Sequence, residues 1–188
     1  MLLLLIGVLV FFTLHSLPFA APRWHERQRQ RWGRITWRLF ISLASMLAIL
    51  LIAYGLKLSR LSPVVVYVSP GWLRRVTDVL MLAVFPLLYA TFMPSRMRSA
   101  LRYPDLVAIK LWAVAHLLVN GMLADLILFG SALAWAIVNR VSLQRRVRIV
   151  PSALPSPYND LVAIVLGLFT YMCIVLYLHY RLIGVTPI

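Results

Sequence analysis

The sequence predicts an all-α, polytopic transmembrane helical bundle, and three observations predict it. Apolar residues make up 62% of the 188 positions and the mean hydropathy is +0.88, well above the share of roughly half in a soluble domain. These residues gather in six runs, most of them near the about 20 residues needed to cross about 30 Å of hydrocarbon. The charges lie between the runs. Nineteen Lys and Arg stand against five Asp and Glu, a net charge of +14, and they come in short clusters, the pattern by which bases hold membrane spans in place. A nucleic-acid surface would gather them on one solvated face, so the lipid bilayer is the expected partner and nucleic acid is not. Long runs without period-two alternation exclude a membrane barrel. No loop is long enough for a separate unit, so residues 1–188 read as a single transmembrane domain.

The elements follow in order. The first run is Met1 to about Ala20. It resembles a signal peptide, with PFAA as a cleavage-like site, but it lacks a basic n-region and its bases come afterwards, which favours retention as an anchor. The second run is Ile35 to Leu56 and the third Val76 to Met93. The fourth, Leu106 to Asn120, and the fifth, Met122 to Asn139, are short and joined by Asn120-Gly121, a strong turn dipeptide. They read as a tight helical hairpin; one long tilted helix in their place would give five spans. The last run is Leu161 to Tyr180.

Orientation follows from the loops. Arg23, Arg27, Arg29, Arg31 and Arg34 follow the first span. Arg96, Arg98 and Arg102 follow the third, and Arg140, Arg145, Arg146 and Arg148 the fifth. With six spans these twelve bases share one side, against Lys57, Arg60, Arg74, Arg75 and Arg181 on the other. The positive-inside rule then makes the arginine loops cytoplasmic and both termini periplasmic. Trp24, Trp32, Trp37 and Trp72 fall near span ends, as interfacial anchors do.

Few residues carry chemistry. Cys173 is the sole cysteine, so neither a disulfide framework nor a thiolate metal site can be built from it. His25 lies among arginines and reads as a solvated side chain. His15, in FFTLHSLPF, and His116, in LWAVAHLLVNG, lie inside apolar runs, where an ionisable ring needs a partner or a role. Trp112, His116 and Asn120 are four apart and share one helix face, so Asn120 either bonds the ring or ends the helix. His179 lies near the outer end of the last span. Each buried imidazole reads either as a hydrogen-bonding group between helices or as an axial ligand of haem iron in a bundle. At about 1.5 Å per residue, His15 lies about 7 Å from the inner end of its span and His116 about 15 Å from the inner end of its own, a mismatch that does not favour one shared iron. Lys110 can snorkel to the inner surface. Asp78 and Asp125 sit where they favour helix N-termini. The chain has no HExxH, P-loop or GxSxG motif.

Four stretches carry a family resemblance: HSLPFAAPRW, WGRITWRLFISLAS, LRYPDLVAIKLWAVAHLLVNG and LHYRLIGVTPI. Over nearly its whole length the chain resembles the NnrU family of membrane proteins, most specifically in the central block. The resemblance implies a bacterial inner-membrane protein linked to nitrite and nitric oxide respiration (denitrification), as a redox sensor or assembly factor. The family is similar to the plastid zeta-carotene isomerase, a haem b membrane enzyme that isomerises a cis double bond of a polyene. The two iron-ligating histidines of that enzyme fall in motifs matching His15 and His116. The resemblance therefore implies haem b as cofactor, held by His15 and His116 as metal ligands, and, if the isomerase activity carries over, a hydrophobic small molecule as substrate. It names no protein partner. One departure stands out: Arg102-Tyr103-Pro104 replaces the usual Arg-His-Pro. Phenol is not a near-neutral acid–base group, which puts catalytic use of that position in doubt. A membrane scaffold with structural histidines is the third reading.

Overall fold

The computed structural model describes residues 1–145 and 154–184, without the side chains of 182 and 183. Among them there are helices and no strands. The helices are α1 (Leu2–Ala20), α2 (Pro22–Trp32), α3 (Arg34–Ser59), α4 (Leu73–Ala90), α5 (Arg96–Leu101), α6 (Pro104–Val119), α7 (Leu123–Gln144) and α8 (Pro157–Cys173), which runs through a π-helical turn (Ile174–Leu178) into α9 (His179–Ile183). All six apolar runs are helical, as expected. Arg146, Arg148 and the terminal VTPI of the last quoted stretch lie outside the described residues.

Among the described residues four helices are long and apolar enough to cross a membrane: α1, α3, α7 and the α8–α9 unit. The other two fall short for different reasons. At 16 residues, α6 spans only about 24 Å. The 18-residue α4 opens with Arg74, Arg75 and Asp78. The long central helix that would have given five spans does not form. The chain reverses at Asn120–Met122, and α6 and α7 pack antiparallel, with the Trp112 and His116 rings on Phe129 and the Arg140 guanidinium donating to Leu101 O at 2.9 Å.

The helices form a row, α3–α1–α7–α6–α4–α8, each packed on its neighbours. Small residues set the closest approaches, since without a strong hydrophobic drive in lipid, association depends on close packing. At the α1–α3 crossing, a Cβ on Gly55 would meet the backbone of Leu4, and one on Gly7 the backbone of α3 at Ala48 and Ile52. At the α4–α8 crossing, a Cβ on Gly167 would come within 2.6 Å of Pro86 Cα. Pro86 lies inside α4 and Pro18 inside α1, where proline removes an intrahelical donor.

Two helices occupy stretches read as loop. The first arginine cluster is helical, as α2: Pro22 supplies a first residue with φ already set, and Gly33 at φ 80° breaks the chain before α3. The short α5 is capped by Ser95 Oγ, which accepts from Arg98 N, and by Asp160 of α8, whose carboxylate accepts from Arg96 N and Met97 N at 3.2 and 3.0 Å. Asp160 thereby ties the start of α8 to the start of α5. Asp78, expected at a helix N-terminus, lies a turn further in, because α4 begins at Leu73. Asp125 does lie in the first turn of α7, where it is buried and feels the charge of Arg60.

The strap 61–72 crosses the turn end of the α6–α7 hairpin. Val66 N and Tyr67 N donate to Gly121 O at 2.8 and 3.3 Å, and Leu123 N donates to Val64 O at 2.9 Å. The last carbonyls of a helix have no donor of their own. Here Tyr67 Oη donates to Leu117 O and Asn120 O, and Ser69 Oγ donates to Leu118 O at 2.6 Å. Any Cβ at Gly121 would collide with Tyr67 O, so this turn admits only glycine.

Candidate functional site

The two histidines inside apolar helices are built alike. His15 Nδ1 lies 2.8 Å from Phe11 O, and His116 Nδ1 lies 2.9 Å from Trp112 O, each one turn back on its own helix. A carbonyl can only accept, so Nδ1 carries the proton and Nε2 of the neutral ring carries the lone pair. That is the tautomer a metal-ligating histidine uses, with its other nitrogen bonded to a backbone carbonyl. Both rings are half-buried. His15 stacks on Phe11 at 4.2 Å, and His116 stacks on Phe129 at 4.4 Å with Trp112 at 5.3 Å.

Both rings also rest against α7, at different levels. His15 meets Trp135 edge-on at 6.3 Å, whereas His116 meets Phe129. Six residues separate those contacts, about 9 Å along the axis of α7, close to the mismatch expected from the sequence. Phe12 occupies the interval, 5.8 Å from Trp135 and packed on the Ala113, Phe129 and Ala132 cluster. The space between the two imidazoles is therefore filled by aromatic side chains. Among the described residues no three His, Cys, Asp or Glu side chains gather as a metal cage. Trp135 Nε1 is buried without a hydrogen-bond partner, a rarity for a buried donor, and it marks the α1–α7 seam beside His15.

Asn120 does not bond the His116 ring. It ends α6, its N–H donating to His116 O at 2.8 Å and its carbonyl accepting from Tyr67. His25 is not simply solvated: its Nε2 accepts from Trp37 Nε1 at 3.1 Å. Trp37 is 4% exposed and packs among Trp24, Trp32 and Phe40, so it is the buried pin holding α2 to α3 and not a lipid-facing anchor. Tyr103 precedes α6, its ring under the Arg140 guanidinium at 5.1 Å. Before it, Arg102 has φ 66°, and Tyr103 N donates to Leu101 O at 2.8 Å. This is a γ-turn with positive φ, a strained conformation for a residue with a side chain.

Two hollows flank these residues. An apolar groove of about 470 Å³ runs between α1 and α7, lined by Val8, Leu9, Phe12, Thr13, Ser16, Leu17, Ala20, Ser131 and Ala134. A smaller one of about 230 Å³ lies under the strap, around Tyr67, Arg74 and Gly121. Neither is lined by His15 or His116.

The residue that sequence reading left without a role is His179. It follows the π-helical turn and is half-buried.

The sequence model of the family described as NnrU protein matches residues 3–187. No curated protein and no solved structure matches the chain.

Proposed function

The chain belongs to the NnrU family, and from that premise and its membrane-embedded imidazoles we propose an inner-membrane, haem b-binding protein of nitrogen-oxide respiration, acting as a redox sensor or assembly factor. The observation that carries the reading is the state of His116. Its Nδ1 is committed to Trp112 O and its Nε2 keeps a lone pair free to coordinate, in the last turn of an apolar helix. The donor count agrees with haem. A bare zinc ion takes three or four protein ligands, and no such cage exists among the described residues. A porphyrin brings four nitrogens of its own and asks the protein for one or two axial imidazoles.

His116 is the ligand we assign first. His15, which the family resemblance pairs with it, offers the same tautomer from α1, and sharing one iron with His116 requires Phe12 to leave its place between them. When bound, the cofactor would supply reversible one-electron chemistry. This chain's own residues hold the ring orientation, through the Trp112 carbonyl and the Phe129 stack, and keep water from it. The twelve-to-five distribution of bases supports cytoplasmic arginine loops and periplasmic termini.

A second reading, a haem-dependent polyene cis–trans isomerase, is favoured by one feature: the groove between α1 and α7 is largely apolar, as a site for a hydrophobic small molecule would be. Against it stands Tyr103 in place of the expected histidine, engaged with Arg140.

The test is the His116→Ala variant of the detergent-purified protein. The wild type should show a Soret band, and the variant should lose it or weaken it sharply. Full retention in the variant contradicts the assignment. A wild type reconstituted with haemin and still without the band leaves only the scaffold.

A further inference from the structure

The helix α2 closes one end of the bundle and carries a row of unpaired arginines. α1 and α3 run antiparallel: a Cβ on Gly55, near the end of α3, would meet Leu4 at the start of α1, and one on Gly7 would meet Ala48 and Ile52. The end of α1 and the start of α3 therefore stand together, and α2 joins them. The ring contacts that hold it fall on Trp37 and Phe40, in the first two turns of α3. Trp24 and Trp32 meet Trp37 at 6.0 and 5.8 Å, Trp32 meets Phe40 at 5.4 Å, and His25 accepts from the Trp37 indole. Arg23, Arg27 and Arg31 are four apart and share one face of α2. Each is exposed, and among the described residues none has an acidic partner. Glu26, the sole acid of α2, is held by Arg29 at 2.7 Å. The rest of this end is basic as well. α7 runs parallel to α1, with Ala124 packed on Leu4 and Val8 and Trp135 against His15. That brings Arg140 to the same end, where it bonds the last residue of the arginine-bearing α5.

We propose that Arg23, Arg27 and Arg31 form a fixed headgroup site on α2 for anionic phospholipid of the leaflet at this end of the bundle. The inference requires α1 and α3 to cross a membrane, as their length and composition allow, and is independent of haem. Depth is the first argument for this occupant. α2 joins two apolar spans, so the row stands where the hydrocarbon ends. The indoles are the second. Trp24 and Trp32 are nearly half exposed on the same short helix, and such rings settle at headgroup level. Charge is the third. Guanidinium forks match phosphate oxygens bidentately, and each base near an anionic surface strengthens binding about fivefold. A disordered basic tail would attract such lipids by charge alone. Here the Trp37 pin orients the row before any lipid arrives, which lowers the ordering cost of binding. Charge by itself would also suit an acidic protein segment; depth and the exposed indoles favour lipid.

The experiment uses the full-length protein in mixed micelles containing phosphatidylglycerol and phosphatidylcholine, with the lipids that stay bound counted by native mass spectrometry. The wild type should retain phosphatidylglycerol in preference, less so as salt rises. Arg27→Gln with Arg31→Gln should weaken that preference at least about tenfold. Lys57→Gln with Arg75→Gln makes the same change of charge at exposed positions of the opposite end, in the last turn of α3 and the first of α4, and should leave it unchanged. Should the arginine pair fail to fold, the single Arg23, Arg27 and Arg31 variants, each expected to lose about fivefold, carry the same test. A preference that the arginine variants leave intact, or an equal loss in both pairs, overturns the site. Two competitors test the source of the anion. Excess inorganic phosphate should not displace the bound lipid; displacement would make this a site for free anions and overturn the lipid assignment. Displacement by polyglutamate would assign the row to an acidic protein segment and overturn it as well.

Discussion

Tyr67→Phe removes one oxygen atom and tests whether the strap 61–72 holds the end of α6, and with it His116. The hydroxyl donates to Leu117 O and Asn120 O. Since α6 ends at Val119, neither carbonyl has an intrahelical donor to fall back on. A half-buried carbonyl left unpaired costs about 1–3 kcal/mol. One proton shared between two acceptors counts as one strong bond, so about 2 kcal/mol is expected. For a chain of this length that lowers Tm by about 4–8 °C. The assay is thermal unfolding in detergent, followed by near-ultraviolet circular dichroism. A titration provides an internal check. Burial, and then the charge of Asp125, raises the Tyr67 phenol above its ordinary value of 10.0. The folded state therefore favours the neutral hydroxyl. Its contribution is complete below the unfolded pKa and is lost as pH rises through the higher folded one. The wild-type advantage over Tyr67→Phe should shrink in that alkaline range. A Tm change under about 1 °C at neutral pH, or a gap that widens with alkali, refutes the capping role.

Three further outcomes follow from the packing and the charge pattern. His25→Ala should destabilise the protein by about 1–3 kcal/mol, because it strands the buried Trp37 Nε1–H; thermal unfolding of the variant measures it, and a loss under about 0.5 kcal/mol would return His25 to the solvated class. Gly167→Ala should cost about 1–3 kcal/mol, since its methyl meets the Pro86 backbone and not a movable side chain; unchanged unfolding would place the α4–α8 crossing elsewhere. Reporter fusions after Arg29 and Arg98 should score cytoplasmic, and fusions after Arg60 and at the C-terminus periplasmic; a cytoplasmic C-terminus contradicts the six-span topology.

The apolar runs were legible because hydropathy over about 20 residues is a local property, and each became a helix within a few residues of its expected ends. The Asn120-Gly121 reversal was legible too, and the reason is steric: only glycine can stand under the Tyr67 carbonyl. The arginine stretch after α1 hid a helix, because charge density was read as loop while Pro22 and Gly33 already marked a start and a stop. His25 was misread for a related cause. Its acceptor role depends on Trp37, twelve residues on, which folds back through the turn at Gly33. The lateral order of the helices is set by which small residues face which neighbours. Gly7, Gly55 and Gly167 do that work, and a single sequence does not say across which helix each will pack. His15 and His116 were legible as individual buried imidazoles, and the mismatch in their depths was legible as well; the aromatic filling between them was not.

The central claim is that these imidazoles hold iron. The most direct measurement is the absorption spectrum of the detergent-purified protein, oxidised and reduced, after expression with adequate haem supply and again after reconstitution with haemin. The account predicts a Soret band that sharpens and shifts on reduction and is lost or sharply weakened in His116→Ala. A folded protein that shows no Soret band under either condition, or a band that His116→Ala leaves unchanged, contradicts the account.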